Sequence, residues 1–191
     1  MGNVVYDITM SLDGFVAGPD DSAPHPLGIG GEALHDWLST GRTPEDTAVL
    51  EELLASGAVL TGRRTYDFSE GEGGWGDGPL GTTPVVVLTH RPVDRAGAHF
   101  TFVGGVVADA VAKAKELAGD RDVYVMSADV ARQVLTAGLL DRIRLHVVPI
   151  LLGSGVRLFD DKALAGVRLT TERVVRTNCA THLWYRIGAT G

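Results

Sequence analysis

The sequence predicts an α/β fold, with a single domain over residues 1–191, a mostly parallel central sheet, helices on both faces and an antiparallel edge. Three observations lead to this prediction. Strand-like apolar runs alternate with helical patterns through most of the chain. Two strand-like runs, 169–177 and 181–187, follow each other near the end and are predicted to pair antiparallel. A chain of 191 residues is also long enough to bury one sizeable core.

The first predicted elements are a strand and two helices. Loose alternation of apolar residues predicts a strand over 4–10, and a polar, glycine-rich segment then leads to a short helix over 32–38. Thr43 is a good N-cap for the next helix, because proline occupies the first helical position and two acidic residues follow it. Gly57 is predicted to end that helix.

Five further apolar runs predict strands. They are 58–61, 85–88, 99–103, 123–126 and 142–152. Apolar residues at helical spacing predict a helix over 107–117, and a second helix, 130–137, follows the fourth of these strands with almost no turn. The segment 71–81 has six glycines in eleven residues and is predicted to be a mobile loop carrying Trp75.

Composition and charge argue against several kinds of partner. The formal net charge is −7, which disfavours nucleic acid and acidic membrane surfaces as partners. No stretch approaches the roughly 18 apolar residues of a membrane helix. Cys179 is the only cysteine, so no intrachain disulfide is possible, and the N-terminus lacks the pattern of a signal peptide. We therefore expect a cytoplasmic protein with no nucleic-acid or membrane partner.

The ends of three predicted strands carry polar side chains that suit a phosphate. Arginine lies next to a hydroxyl in 61–65 and in 89–92, and a third end, 126–129, runs straight into a helix. Ligands bind at the carboxyl ends of strands in open α/β sheets, and a helix N-terminus favours anions. The sequence therefore predicts a phosphorylated, extended ligand such as a dinucleotide, although each arginine alone is also compatible with a solvated surface.

Other common site patterns are absent from the sequence. It has no Gly-x-Gly-x-x-Gly after a strand, which argues against a Rossmann domain, and no Walker lysine motif. It has no Gly-x-Ser-x-Gly elbow. Its six histidines are scattered without a helical His-x-x-x-His pair, so no metal site is predicted.

Four segments, in the right order, resemble one known family. They read "MSLDGFVAG", "LTGRRTYD", "PVVVLTHRP" and "AGLLDRIRLHVVPILLGSGVRLF". They are similar to the dihydrofolate-reductase-like family, in the branch that contains the reductase domain of bacterial riboflavin biosynthesis. The resemblance implies a single-domain dihydrofolate-reductase-like fold and NADPH as cofactor. It also implies reduction of a carbon–nitrogen double bond in a small, flat nitrogen heterocycle or imine. Relatives in this branch often form homodimers, so a homodimer is expected.

The resemblance further implies which residues contact NADPH. The turn 62–65 is implied to bind the cofactor phosphates. The strand end at Thr89 and Arg91 is implied to bind the adenosine side, with Arg91 near the 2′-phosphate. The loop 13–17 and the strand–helix junction 126–130 are implied to lie beside the nicotinamide and diphosphate. The implied cofactor-binding residues are Ala17, Gly62, Arg63, Arg64, Thr65, Thr89, Arg91, Ser127, Ala128, Asp129 and Val130.

The resemblance also implies substrate-binding and catalytic residues. His35, Trp37 and Gly153 are the implied substrate-binding residues. For Trp37, plain core packing is the alternative interpretation. Asp13 and Asp36 are the candidate proton donors, with a bound water as the alternative. The substrate itself is not predicted, because the fold does not choose among heterocycles.

The junction 126–130 departs most from the family pattern. Relatives usually place two glycines and a small residue here, whereas this chain has Ser127 and lacks one residue. A backbone conformation that needs glycine would strain a serine by roughly 1–3 kcal/mol. Asp129 would favour the helix but repel a diphosphate. The Ser127 hydroxyl, in contrast, has the chemistry to cap the helix or to bind a phosphate oxygen.

Three functions follow from these patterns, and the junction discriminates between the first two. The first is an NADPH-dependent reductase. The second is a repurposed member of the family that has lost NADPH and binds or transforms a flat small molecule without redox chemistry. The third is a non-catalytic, dimeric binding protein in which the segment 71–81 serves as a lid.

Overall fold

The computed structural model describes residues 2–22, 24–39, 41–69, 80–91, 99–159 and 165–188. The chain forms two compact units. The first comprises Met1–Tyr6 and Leu54–Asp141, and the second comprises Asp7–Leu53 and Arg142–Gly191. The predicted single domain over residues 1–191 stays a prediction.

The elements of the described residues follow one another largely as the sequence predicts. In chain order they are β1 (Val4–Ser11), β2 (Phe15–Ala17), a 3-10 helix (Gly31–Leu38), α1 (Pro44–Leu54), β3 (Ala58–Gly62), α2 (Arg63–Ser69), β4 (Val85–Leu88), β5 (Phe100–Val103), α3 (Val107–Ala118), β6 (Val123–Val125), α4 (Ala128–Thr136), β7 (Arg142–Val148), β8 (Val156–Arg157), β9 (Leu169–Arg176) and β10 (Thr181–Ile187). Strand β1 contributes its first three residues to the first unit and the rest to the second.

The first unit contains a parallel sheet. Its strands are hydrogen-bonded in the order β5-β4-β3-β6-β1, and every neighbouring pair is parallel. Strands β3, β4 and β6 are buried almost throughout, as expected of strands in a parallel sheet covered by helices. Because these strands are parallel, their carboxyl ends lie at one edge of the sheet. That edge carries the polar residues singled out in the sequence.

The second unit contains antiparallel strands. Its order is β1-β7-β10-β9, and β10 is antiparallel to both β7 and β9. The predicted closing pair of strands is therefore confirmed. In the register of β7 and β10, His146 lies directly opposite His182. An apolar cluster that includes Leu34, Trp37 and Trp184 packs in this unit, and β2 and β8 form a small separate sheet.

Helix α1 begins as the sequence predicts, with a reciprocal cap. The backbone N–H of Thr43 donates to the Asp46 carboxylate at 2.8 Å, and the backbone N–H of Asp46 donates to the Thr43 hydroxyl at 3.2 Å. This capping box satisfies two donors that a helix start leaves open. The helix ends at Leu54, three residues before the predicted stop at Gly57.

Several predicted boundaries differ from the structure. The segment 32–38 is a 3-10 helix rather than an α-helix. Strand β7 ends at Val148 instead of residue 152, because Pro149 follows and has no backbone N–H to continue the ladder. Helix α4 begins at Ala128, two residues before its predicted start. Most of the glycine-rich segment 71–81, including Trp75, lies outside the described residues.

No helix among the described residues has both the length and the apolar character needed to cross a membrane.

Candidate functional site

The carboxyl ends of β3, β4 and β6 bring several predicted cofactor-binding residues together in the first unit. Gly62, at the end of β3, lies against the start of α4. A Cβ added at Gly62 would lie 3.2 Å from both the Ser127 Oγ and the Val130 Cγ2. The Thr61 hydroxyl beside it is buried and has no hydrogen-bond partner among the described residues. The Thr89 hydroxyl accepts the backbone N–H of Arg91 at 3.1 Å, and this bond shapes the turn after β4.

Two of the predicted arginines meet on one carboxylate that the sequence does not single out. The Nε of Arg63 lies 2.6 Å from Oδ1 of Asp67, and an Nη of Arg91 lies 2.9 Å from Oδ2. Asp67 is i+4 from Arg63 on α2, a spacing that places both side chains on one face. The Arg64 guanidinium stacks over the Phe68 ring at 4.8 Å. Thr65 lies in the first turn of α2.

The strand–helix junction adopts ordinary backbone geometry despite its missing glycines. Ser127 has φ −148° and ψ 126°, an extended conformation that any residue adopts without strain. Its carbonyl accepts the backbone N–H of Ala131 at 2.8 Å. The Ser127 side chain makes no capping hydrogen bond, so the capping role considered for it is not realised.

The Asp129 side chain lies on the surface of α4 and contacts other residues of the same helix. Its carboxylate accepts hydrogen bonds from Arg132 at 3.1 Å and from Gln133 at 2.8 Å. The side chain is 68% exposed. Solvent and the Arg132 guanidinium both reduce the repulsion that this carboxylate would exert on a nearby anion.

In the second unit, Asp13 is a hydrogen-bond acceptor within a loop. Its carboxylate receives the backbone N–H groups of Leu152 at 3.1 Å and of Gly153 at 2.7 Å, together with the Ser11 hydroxyl at 2.6 Å. The Ser11 hydrogen bond, followed by those from the backbone, lowers the pKa of Asp13 to about 2. Asp13 is therefore ionised at neutral pH, which disfavours the role of proton donor considered for it. It instead brings Gly153 against the turn after β1.

The strand β2 lies close to the glycine-rich turn before β8. Gly155 has φ +134°, and a Cβ placed there would lie 2.1 Å from the Ala17 carbonyl oxygen. Only glycine allows this approach. Ala17, predicted to bind cofactor, is thus held by the same turn that contains Gly153.

The 3-10 helix separates its predicted site residues into exposed and buried groups. His35 and Asp36 are exposed. Trp37 is 1% exposed, and its indole N–H donates to the Thr9 hydroxyl at 3.0 Å. The burial of Trp37 favours the core-packing interpretation over direct contact with substrate.

Four titratable side chains form a continuous buried hydrogen-bonded series in the second unit, here called the buried polar chain. In order they are Asp7, His146, His182 and Asp46. The three contacts are His146 Nε2 to Asp7 Oδ1 at 3.2 Å, Nδ1 to Nδ1 between the histidines at 2.7 Å, and His182 Nε2 to Asp46 Oδ1 at 2.8 Å. The Nε of buried Arg144 lies 3.2 Å from Asp7 Oδ2. All five side chains are buried.

Electrostatics keep both carboxylates of the buried polar chain ionised. Burial alone would raise the pKa of Asp7, but His146 and Arg144 outweigh it and hold the pKa below its ordinary value. Burial would likewise raise the pKa of Asp46, but hydrogen bonds from the Thr43 backbone and from His182 outweigh it, and the net shift is downward. Burial lowers the pKa of His182, against the opposing effect of Asp46.

The buried polar chain was not predicted from the sequence. A signal was present in the pattern, because His146 and His182 each interrupt an apolar strand. Buried polar residues in strands need partners, and those partners come from distant positions. Their identities are therefore set by the register of β7 against β10 and not by local spacing. Among the described residues, no group of three or more His, Cys, Asp or Glu side chains is arranged to hold a metal ion.

A family model for the RibD C-terminal domain matches residues 3–183. The chain belongs to the RibD C-terminal domain family. This confirms the resemblance to the reductase branch of the dihydrofolate-reductase-like proteins. No curated protein matches the chain at a significant level.

Solved structures place this member of the RibD C-terminal domain family within the dihydrofolate-reductase-like fold. A candidate riboflavin biosynthesis protein from Shewanella sp. PV-4 has 24% identity and a TM-score of 0.73, over 98% of this chain and 99% of that one. A pyrimidine reductase-like protein from Corynebacterium diphtheriae has 13% identity and a TM-score of 0.63, over 99% and 93% of the two chains.

A dihydrofolate reductase from Enterococcus faecalis, complexed with NADP(H) and RAB-propyl, has 14% identity and a TM-score of 0.61, over 97% and 96% of the two chains. At these identities the likeness shows the fold. The predicted fold class is confirmed, and membership of the RibD C-terminal domain family supports a reductase of this type.

Proposed function

We propose that this protein is an NADPH-dependent reductase that acts on a carbon–nitrogen double bond in a small nitrogen heterocycle or imine. The family supports a reductase. The observation that carries the cofactor assignment is the meeting of Arg63 and Arg91 on Asp67, beside Thr89, at the carboxyl ends of β3 and β4. A homodimer in the cytoplasm is part of the same proposal.

The arginine group suits the phosphates of NADPH. Arg91 is 64% exposed and Asp67 35% exposed, and an exposed ion pair of this kind contributes only about 0–1 kcal/mol. The 2′-phosphate of NADPH is a monoester that carries more charge than a carboxylate, and like a carboxylate it accepts two parallel hydrogen bonds from a guanidinium. Arg91 is thus able to exchange Asp67 for a phosphate at low cost. The buried Thr61 hydroxyl at the end of β3, which has no hydrogen-bond partner within the described part of the chain, adds a polar group on the same edge.

The junction at Ser127 is compatible with the cofactor. The serine adopts its conformation without strain, and the positive end of the α4 dipole remains at the edge of the sheet. When bound, NADPH supplies the hydride. The protein aligns the substrate with the cofactor and limits access of water.

The proton needed at nitrogen comes from a group other than Asp13 in this proposal. Asp13, with its pKa lowered to about 2, stays charged and holds the loop at Gly153. Asp36, exposed on the 3-10 helix, and a bound water remain the two candidate donors. An Asp36→Asn variant distinguishes them, because kcat falls steeply only if the carboxyl group donates the proton.

A titration of the purified protein with NADPH tests the cofactor assignment. We expect a Kd in the micromolar range or below by calorimetry and nicotinamide fluorescence. Arg91→Ala should weaken NADPH binding roughly 10- to 100-fold through loss of a charge-assisted hydrogen bond. The matched control is Arg176→Ala, which removes an exposed arginine from β9 in the second unit and should leave Kd unchanged. Nitrogen heterocycles are then screened for NADPH oxidation.

Absence of binding at millimolar NADPH, with the protein folded, would overturn the reductase proposal. The better-supported hypothesis would then be a repurposed family member that binds or transforms a flat small molecule without redox chemistry. Sedimentation of the same preparation tests the homodimer, and a single monomeric species would contradict that part.

A further inference from the structure

The buried polar chain has a countable number of hydrogen-bonding protons. Its three contacts each join two atoms with lone pairs, and each contact needs one proton between them. Asp7 faces the Arg144 guanidinium, and Asp46 accepts the Thr43 backbone N–H and the Thr177 hydroxyl. These contacts favour the ionised form of both carboxylates, so neither supplies a proton. The four ring nitrogens of His146 and His182 must therefore supply all three. Two neutral imidazoles carry only two ring N–H groups, so the pair needs one further proton.

Neutral tautomers fail at one contact however they are arranged. If each Nε2 carries the proton, the two Nδ1 lone pairs face each other at 2.7 Å. If His146 carries it on Nδ1, the Nε2 lone pair faces the Asp7 carboxylate at 3.2 Å. Each arrangement buries an unsatisfied, repulsive contact. The short separation between the histidines is instead typical of a charge-assisted bond.

Charge balance agrees with one imidazolium. The charged groups of the cluster come from several elements: Asp7 of β1, Asp46 and Glu52 of α1, Arg144 of β7 and Arg173 of β9. Exposed His35 on the 3-10 helix is a further titratable neighbour. The three carboxylates carry three negative charges, and the two guanidinium groups carry two positive charges. Glu52 and Arg173 are partly exposed and pair with each other, so the buried Asp7, Asp46 and Arg144 leave one negative charge, which one imidazolium neutralises.

Trp37 connects this cluster to the 3-10 helix. Its ring centroid lies 4.6 Å from that of His146 and 5.0 Å from that of His182. Its indole N–H is fixed on the Thr9 hydroxyl of β1. The same short helix carries His35 and Asp36 on its exposed side. The two imidazoles therefore form part of the surface on which this helix rests.

We propose that the buried polar chain carries one imidazolium charge shared by its two histidines, and that in this state it positions the 3-10 helix. His146 and His182 are thus positioning residues that act through Trp37. The effect on catalysis rests on the proposed reductase function. The protonation state and its effect on Trp37 do not.

Nuclear magnetic resonance of the ring nitrogens tests the proton count directly. In full-length protein labelled with 15N-histidine, long-range 1H–15N spectra at pH 7 should show three protonated nitrogens among the four. Raising the pH should remove one proton, and the indole N–H resonance of Trp37 should shift with the same midpoint. Two protonated nitrogens at pH 7, or an indole resonance that ignores the titration, would overturn the proposal.

Asp7→Asn supplies a variant designed to fold without the imidazolium. The asparagine amide donates to Nε2 of His146, so all three contacts are satisfied with neutral rings, and loss of the carboxylate balances loss of the extra proton. We expect two ring protons at pH 7 and no coupled titration of Trp37. Asp20→Asn is the matched control, since Asp20 is exposed, and it should retain three ring protons. Three ring protons in folded Asp7→Asn would contradict the assignment.

The functional consequence has its own readout. Wild-type kcat for NADPH oxidation should fall at the pH where the ring proton is lost, whereas Asp7→Asn should lose this step in its pH profile. If the protein does not bind NADPH, the proposed function fails while the spectroscopic result stands. If it is active and the two pH profiles coincide, the positioning role is wrong although the reductase assignment holds.

Discussion

The strand-end edge of the first unit and the buried polar chain of the second use similar side chains under opposite conditions. At the edge, Arg63 and Arg91 share Asp67 in partial contact with solvent. In the buried polar chain, the carboxylates and imidazoles are enclosed on all sides. Solvent screens the electrostatic interactions at the edge, whereas the buried polar chain is shielded from solvent and its interactions are screened much less.

The difference separates binding chemistry from structural chemistry. Exposed ion pairs contribute little to stability and exchange partners easily, which is why the proposed function assigns phosphate binding to this edge. A buried charge that loses its partner destabilises the protein strongly. Each residue of the buried polar chain therefore keeps its partner, and the strands and helix that carry these residues stay in one arrangement. The comparison predicts large stability effects in the buried polar chain and small ones at the edge.

The largest effect is expected from Asp46→Ala. This change removes the buried partner of His182, the acceptor for Thr177 and half of the α1 capping box. Breaking a buried pair costs about 3–5 kcal/mol of unfolding free energy. Urea unfolding followed by circular dichroism measures it. Glu51→Ala, an exposed change in the same helix, should cost under about 0.5 kcal/mol. A loss under about 1 kcal/mol in Asp46→Ala would contradict the claim that the buried polar chain contributes more to stability than the exposed edge does.

Acidification should destabilise the protein in two stages. With one proton already shared by the two histidines, burial lowers the pKa at which His182 takes up a second one. The unfolded state therefore binds more protons than the folded state as pH falls below the ordinary value of 6.5, and stability decreases there. The carboxylates Asp7 and Asp46 have folded pKa values below 3.8, so their stabilisation is present above 3.8 and is lost as pH falls through the folded values. Urea midpoints between pH 6.5 and pH 3 measure this loss of stability, and a flat profile over that range would contradict it.

Asp67→Asn tests the exposed side of the comparison. The change removes the carboxylate that Arg63 and Arg91 share, but both guanidinium groups keep access to water. The expected loss of unfolding free energy is under about 1 kcal/mol. Thermal and urea unfolding measure it. A loss above about 2 kcal/mol would mean that this group is as structural as the buried polar chain.

Ser127→Gly should have the smallest effect. Because Ser127 is extended and unstrained, glycine relieves nothing and lowers stability by at most about 1 kcal/mol through backbone entropy. The Kd for NADPH should change by no more than roughly twofold. A tenfold gain in affinity would show instead that the serine Cβ obstructs the cofactor, which would restore the concern that the sequence raises.

Local patterns in the sequence are sufficient to predict most of the elements, the closing antiparallel pair and the resemblance to the family. Buried strands such as 85–88 are continuous apolar runs, and the α1 cap at Thr43 depends on residues three apart, so both patterns are local. The polar residues at the ends of β3, β4 and β6 were predicted because each group follows its strand directly in the sequence. Their clustering in the first unit follows from parallel strands ending at one edge.

Which distant side chains become partners depends on tertiary packing. It placed Arg91 on Asp67, and it buried Trp37. It also joined His146 to His182 across β7 and β10, with carboxylates from β1 and α1 at the two ends. The sequence separations of these contacts range from 24 to 139 positions, so no local pattern predicts them; strand register and burial create them. The protonation state of a histidine also depends on tertiary packing, because neighbouring groups that are distant in sequence set its charge.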